Sequence, residues 1–476
     1  MRRFPASLRT MQRSRGVCWF CLLAIGVGGA RAPRTTPAAT SAPAAARPVA
    51  DVVAGNWRGY ARFQGARLDF SVRVWREGAG FRASMSCPDM MLLEQPLDSV
   101  RVTAGRLRFV TRDEHPLLFD GAVSGDSLRG ASAVPAVPGV VAAGTNAPPM
   151  RFALGRSAAP ASPPWHAREL RIPSGTAQLA ATLYLPGGGA GARSGIVLLQ
   201  GSSAQSRRED LFHADLFARA GLAVLLYDKR GHGGSTGDYA AATYDVLADD
   251  AAAAVKCLQS QPEVDPQRVG VWGMSQGGFI SPLVAARVPS LKFIIAVSPP
   301  GVPIGEIAAY QDSVRLVAGG FDAADIVRAV SIDRRLLAWL RSGKDETEMA
   351  AVLTEAAKTP WRRASSIPGT LPAGAAREGW YWRGRTADPT PWWREVQVPA
   401  LVLFGEADEL IPAKASARAI EKALHQAKNK NASVLVYPDA NHALRRLPLA
   451  AGGAWDWPRA VPGYLDLLTT WVLAHS

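Results

Sequence analysis

Apolar and polar residues alternate with a period of two in the first third of the chain. Leu68, Phe70, Val72 and Val74 alternate with Asp69, Ser71 and Arg73, and the pattern returns in Phe81, Ala83 and Met85 and in Val100 and Val102, with Gly-rich turns between. Short half-buried strands at near-regular spacing predict a small all-β domain, a barrel or a sandwich, over residues 51–157. From 168 to 476 apolar runs alternate with helical segments, the pattern of a mostly parallel α/β sheet with flanking helices. Strands are expected at 178–185, 195–200, 222–227, 268–273, 292–298, 400–405 and 433–437. Tyr244, Leu247, Ala251, Val255 and Leu258 recur at helical spacing and predict a crossover helix between the third and fourth of these. The interval before residue 400 is too long for a simple connection. Residues 301–397 therefore read as an insertion, helical over 321–358 and then aromatic-rich. Its Trp361, Trp380, Tyr381, Trp382, Trp392 and Trp393 have two roles open to them, lining a pocket or filling the insertion's own core.

Two stretches interrupt these patterns. Residues 33–50 are rich in Pro, Ala and Thr and read as a disordered linker; 158–167, again Pro-rich, link the two domains. Residues 1–15 carry Arg2, Arg3, Arg9, Arg13 and Arg15 with no acid, and an apolar stretch then runs to Ala30-Arg31-Ala32. Basic region, apolar region and A-x-A site form the pattern of a secretory signal peptide over 1–32. The apolar stretch is short of the roughly 30 Å a bilayer core requires, so export without a stable membrane anchor is expected. The formal charge of +14 invites a nucleic-acid reading, but removal of the leader takes six Arg with it and leaves 48 basic against 40 acidic residues. No basic run interleaved with aromatics occurs, so no nucleic-acid partner is expected. Of the four Cys, Cys18 and Cys21 would leave with the leader; Cys87 and Cys257 fall in different domains, so no disulfide framework is expected.

The strongest chemical motif is Gly273-Met274-Ser275-Gln276-Gly277, between an apolar strand and a helical segment. A G-x-S-x-G in that context is a nucleophile elbow, whose serine takes a strained backbone and whose flanking positions must lack side chains. Ser275 is the expected nucleophile. Of seven His, His442 alone follows a strand late in the α/β region, where the base stands if the order is Ser, acid, His. Glu406, Asp408 and Glu409 compete for the acid after the strand at 400–405, with Asp439 a lesser rival. Asp408 is favoured because a residue three past the strand-ending glycine can turn back over the sheet edge; it would fix the imidazole tautomer. No H-x-x-x-H or paired Cys ligands occur, so neither metal nor cofactor is expected.

These motifs, in this order over residues 168–476, resemble the α/β-hydrolase superfamily. Asp228-Lys229-Arg230-Gly231-His232-Gly233-Gly234-Ser235 is similar to that superfamily's D-x-R-G-x-G-x-S turn, where the motif is structural, and Gln200-Gly201 stands where the family has His-Gly. The resemblance implies an oxyanion hole made by the backbone N–H groups of Ser202 and Gln276, with Gly201 the alternative first donor, and a cap over 301–397. Gly55-Asn56-Trp57-Arg58-Gly59 and Phe119-Asp120-Gly121 resemble the lipocalin-like β-domain that precedes some secreted bacterial hydrolases; whether it packs or binds stays open. The whole is most similar to bacterial carboxylesterases, implying a small-molecule ester substrate. A serine peptidase or thioesterase on the same fold and a non-catalytic envelope-binding protein are the alternatives.

Overall fold

A computed structural model describes residues 52–112, 117–133, 149–188, 191–202, 205–374, 377, 380–446 and 456–476. The expected leader and the disordered linker after it lie outside these residues.

Nine strands, β1 (Gly55–Phe63), β2 (Ala66–Glu77), β3 (Gly80–Cys87), β4 (Leu92–Pro96), β5 (Asp98–Thr103), β6 (Arg106–Val110), β7 (Leu118–Ser124), β8 (Ser127–Ala133) and β9 (Met150–Ser157), form one sheet in the order β4-β3-β2-β1-β9-β8-β7-β6-β5. Every pairing is antiparallel. Period-two patterning decides which face turns inward: in β2, Leu68, Phe70, Val72 and Val74 are buried while Arg67, Asp69 and Arg73 are exposed. The sheet curls into a nearly closed barrel, in which the Leu97 N–H between β4 and β5 donates to Ala83 O in β3 at 2.9 Å. Its interior holds Phe109 stacked on Phe119 with centroids 4.9 Å apart, and Phe152 edge-on to Phe119 at 5.2 Å.

One further aromatic in that interior comes from near the other end of the chain. Trp457 joins the barrel core, 6% exposed, with Nε1 3.4 Å from Ala66 O. Arg459 beside it donates to Arg67 O at 2.7 Å and pairs with Asp89. In the other direction, Met91 and Leu93 of the barrel pack into the core of the second sheet.

That sheet comprises β10 (Trp165–Ser174), β11 (Ala177–Pro186), β12 (Arg193–Leu199), β13 (Ala223–Tyr227), β14 (Val264–Met274), β15 (Ile294–Val297), β16 (Ala400–Gly405) and β17 (Ala432–Tyr437) in the order β10-β11-β13-β12-β14-β15-β16-β17. The strands from β13 to β17 pair in parallel; β10 and β11 form an antiparallel hairpin at one edge. Central strands such as β13 and β16 are buried along their whole length, as continuous apolar runs require. The expected crossover helix is present as Tyr244–Gln259. It lies with Gln276–Arg287 and Ala413–Gln426 against one face, while Leu211–Arg219 and Tyr464–His475 cover the other. The α/β-hydrolase fold preceded by a β-domain is thus present.

Two elements depart from the sequence pattern. Strand β10 was not among those expected, because an edge strand mostly exposed along its length carries no apolar run. Helicity in the insertion begins at Ile304–Ala318, ahead of the expected 321, and continues in Ala323–Ser342 and Glu346–Ala356. That first helix packs on both the insertion and the main sheet, so its apolar residues do not fall on one stripe.

Candidate functional site

The end of β14 carries Ser275 into the start of helix Gln276–Arg287. Its φ of 54° and ψ of −115° lie outside the ordinary basins for an L-residue. Two glycines make the turn possible. A Cβ on Gly273 would stand 2.4 Å from the carbonyl carbon of Gly277, and one on Gly277 would stand 2.0 Å from Leu199 O. The serine is anchored through its backbone, N–H to Val297 O of β15 at 2.8 Å and C=O to the N–H of Phe279 at 2.9 Å. Gln276 opens the helix, where a backbone N–H has no intrahelical acceptor.

Asp408 and His442 meet in the loops after β16 and β17. His442 Nδ1 lies 2.7 Å from Asp408 Oδ2, and both residues are buried. The other carboxylate oxygen, Oδ1, accepts the N–H groups of Leu410 at 2.8 Å and Ile411 at 2.9 Å. Two of the competing acids lie elsewhere: Glu406 is exposed and paired with Lys414, and Asp439 is exposed in a turn with φ of 55°. The two loops are bound together by Glu406 N–H to Tyr437 O at 2.8 Å and Ala407 N–H to Ala440 O at 2.9 Å. Ser298, the residue after Val297, donates its hydroxyl to His442 O at 2.8 Å. A single step along β15 therefore separates the strand atom that holds Ser275 from the side chain that holds His442.

Ser202 and Gln276 line one cavity with Ser275, open to solvent. A Cβ on Gly201 would lie 3.6 Å from Cβ of Ser275, so the loop after β12 passes directly beside the serine. A second cavity shares Tyr244 and Gln276 with the first. The cap's first helix is fastened to the acid loop, Tyr310 Oη donating to Asp408 O at 2.5 Å and Gln311 Nε2 to Leu410 O at 2.9 Å.

The D-x-R-G turn has two structural residues, an acid and an arginine, and one residue that does something else. Asp228 accepts from Arg207 and from Gly234 N–H at 2.8 Å; Arg230 makes two buried bonds to Asp250, at 2.7 and 2.6 Å. Lys229 between them is buried, and its ammonium donates to Gly201 O and, at 2.6 Å, to Gln276 Oε1. Tyr239 donates to the same Oε1 at 3.2 Å and presents its ring 4.8 Å from the ammonium. Desolvation lowers the Lys229 pKa to about 7, against the pull of Asp210 and Glu209. Sequence reasoning treated this turn as structural and missed Lys229.

The insertion's aromatics divide between the two roles. Trp361 fills the insertion's own core and Trp393 the core under the main sheet. Trp392 stands edge-on to Phe279 at 5.0 Å and lines the second cavity, and Tyr381 lines the first. The side chain of Trp380 is outside the described residues. Among the described residues no group of His, Cys, Asp or Glu is arranged to hold a metal, and no helix is long and apolar enough to cross a membrane.

Residues 174–443, more than half of the chain and spanning Ser275, Asp408 and His442, match the X-Pro dipeptidyl-peptidase (S15) family. An uncharacterised protein of Mycobacterium tuberculosis is 32% identical over 178 residues, covering 33% of this chain and 60% of that protein; the chain thus spans less than two thirds of that relative. A thiohydrolase of Arthrinium phaeospermum is 34% identical over 91 residues, covering 18% of this chain and 29% of that enzyme. Among solved structures, a hypothetical protein from Pseudomonas aeruginosa aligns with 67% of this chain and 96% of its own at 19% identity, with a TM-score of 0.43.

Proposed function

The chain belongs to the X-Pro dipeptidyl-peptidase (S15) family, an α/β-hydrolase family, and from that premise we propose that it is an exported serine hydrolase that cleaves carboxylic esters through an acyl-enzyme. The observation that carries this reading is the buried Asp408–His442 bond in loops at the carboxyl ends of β16 and β17, on the same edge of the parallel sheet as a strained serine at the carboxyl end of β14.

With a carboxylate on its Nδ1 side, His442 carries its proton on Nδ1 and leaves Nε2 as the base. Ser275 Oγ attacks the ester carbonyl while its proton passes to Nε2. The oxyanion is held by the N–H groups of Ser202 and Gln276. Collapse of the intermediate breaks the C–O bond and returns the proton from Nε2 to the departing alcohol. Water then enters by the same route in reverse roles, releasing the acid and restoring Ser275. Asp408 stays ionised and stabilises the imidazolium formed in each half.

An ester is favoured over an X-Pro dipeptide by the charge of the cavity. An exopeptidase that releases dipeptides must hold a substrate ammonium, and among the described residues lining the cavity there are two guanidinium groups, Arg315 and Arg385, and no carboxylate. Export through the leader at 1–32 belongs to the same proposal.

The test is hydrolysis of p-nitrophenyl acyl esters of graded chain length and of an X-Pro p-nitroanilide by wild type and Ser275→Ala, with fluorophosphonate labelling. Ester turnover that disappears in Ser275→Ala is the expected result. Cleavage of the anilide alone makes the protein a peptidase. Neither turnover nor labelling would leave the non-catalytic binding reading standing.

A further inference from the structure

The cap gives the cavity facing Ser275 a charged end. Arg385 follows the short helix Trp380–Gly384 and is almost fully buried, 4% exposed. Its backbone carbonyl accepts the N–H of Gly305 at 2.8 Å, fixing it against the start of the first cap helix. Its guanidinium lies 4.9 Å from the Tyr381 ring centroid and 4.6 Å from that of Trp382. Nη2 donates to two neutral oxygens, Tyr381 Oη at 2.7 Å and Ser366 Oγ at 3.1 Å. The nearest carboxylate oxygen, on Asp333, is 3.7 Å from Nη1, beyond hydrogen-bond reach. Arg315, on the first cap helix, reaches the same cavity with its side chain about half exposed.

Neither of the two acids behind these guanidinium groups hydrogen-bonds Arg385. Asp312 is fully buried and already engaged: it pairs with Arg315, accepts the Ser366 N–H at 2.9 and 2.8 Å, and takes the Ser366 hydroxyl at 3.1 Å. Asp333 is buried beside the Asp312 carboxylate and accepts no hydrogen bond from a donor among the described residues. Burial, and then the neighbouring Asp312 carboxylate, push its pKa up, against the pull of Arg385 and Arg315. Arg385 thus donates to no carboxylate among the described residues, and with Arg315 it faces a cavity whose lining includes no carboxylate and several apolar groups, among them Ile304, Ile307, Phe279 and Ile411. A desolvated guanidinium with unfilled donors is the receptor for a planar anion.

We propose that this cavity selects esters that carry a carboxylate away from the scissile bond, with Arg385 and Arg315 as the carboxylate receptor. The proposal rests on the ester-hydrolase reading and names the substrate class of that site. The apolar lining accommodates the chain between the two ends, Ser275 takes the ester carbonyl, and the guanidinium groups take the distal anion.

The test compares matched pairs. Mono-p-nitrophenyl adipate and suberate, with a free carboxylate at the acyl end, are run against p-nitrophenyl hexanoate and octanoate. Carboxylate-terminated and neutral alkyl acetates, followed by pH-stat, put the charge on the alcohol side. Expected is at least a tenfold preference in kcat/KM for the carboxylate member of one series. In Arg315→Gln and Arg385→Gln that preference collapses towards one, and inhibition of hexanoate hydrolysis by free adipate weakens in parallel. Arg315, half exposed, serves as the second variant should the buried Arg385→Gln fail to fold. Turnover of the neutral esters without preference for the carboxylate in either series overturns the proposal and leaves the ester-hydrolase reading intact, as does a preference that survives both substitutions. No turnover of any ester, with Ser275 unlabelled by a fluorophosphonate, removes both.

Discussion

Lys229 Nζ and Gln276 Oε1 are 2.6 Å apart, and the same ammonium reaches Gly201 O, so one buried side chain joins the loop after β12 to the residue that follows Ser275. The backbone N–H groups proposed to hold the oxyanion belong to those two segments. Lys229 acts through them as a positioning residue. Lys229→Met should lower kcat by about 10²-fold, the order of losing one oxyanion donor, with KM little changed. A parallel rise in KM, or loss of folding without a kinetic effect in the folded fraction, would reduce Lys229 to a structural role.

The same lysine has a pH signature. Its pKa is lowered to about 7 when folded, while the unfolded side chain titrates near 10.5. Between these values the unfolded state binds the extra proton, so the group's contribution to stability rises with pH. Wild type minus Lys229→Met should therefore show an unfolding free energy that climbs with pH between 7 and 9, approaching about 1.4 kcal/mol per pH unit. Equal slopes for the two proteins in urea titrations across that window would contradict the lowered pKa.

Asp408→Asn should cost about 10³–10⁴ in kcat, because an amide favours the wrong imidazole tautomer. Glu406→Gln removes only an exposed partner of Lys414 and should change kcat by less than about twofold. The opposite ranking would move the acid.

Arg230 and Asp250 form a buried, doubly bonded pair between the D-x-R-G turn and helix Tyr244–Gln259. Removing one partner leaves an uncompensated charge, so Asp250→Ala should destabilise by about 3–5 kcal/mol, measured by denaturant unfolding. A loss below 1 kcal/mol would show that water replaces the carboxylate.

The elbow was legible because its motif is local: Gly273 is dictated by its contact with Gly277 across one turn, although Gly277 also abuts Leu199 O of the neighbouring β12. Asp408 was legible for a similar reason, since the reach of a short loop past β16 limits which carboxylate can turn back. Lys229 was not, because its role depends on partners 28 and 47 residues away that only the folded sheet brings to it. The cap was the least readable part. Trp361, Trp382, Trp392 and Tyr381 are chemically alike in sequence, and only packing assigns the first to a core, the next beneath Arg385, and the last two to cavities. Arg315 and Arg385 were invisible as a pair, since surface and buried arginines look the same in a sequence.

Trp457 ties the barrel to the end of the chain, and Trp457→Ala should cost about 3–5 kcal/mol, the usual loss for a large buried aromatic. The loss should fall on the barrel, read as faster amide exchange in β1 and β2. Its position also sets an order of assembly. A chain growing from its N-terminus delivers all nine barrel strands before any of the second sheet, yet the barrel core waits for a side chain that follows every strand of that sheet in sequence. Until then the barrel core lacks one of its large aromatics, so the second sheet must be synthesised before the first is fully packed.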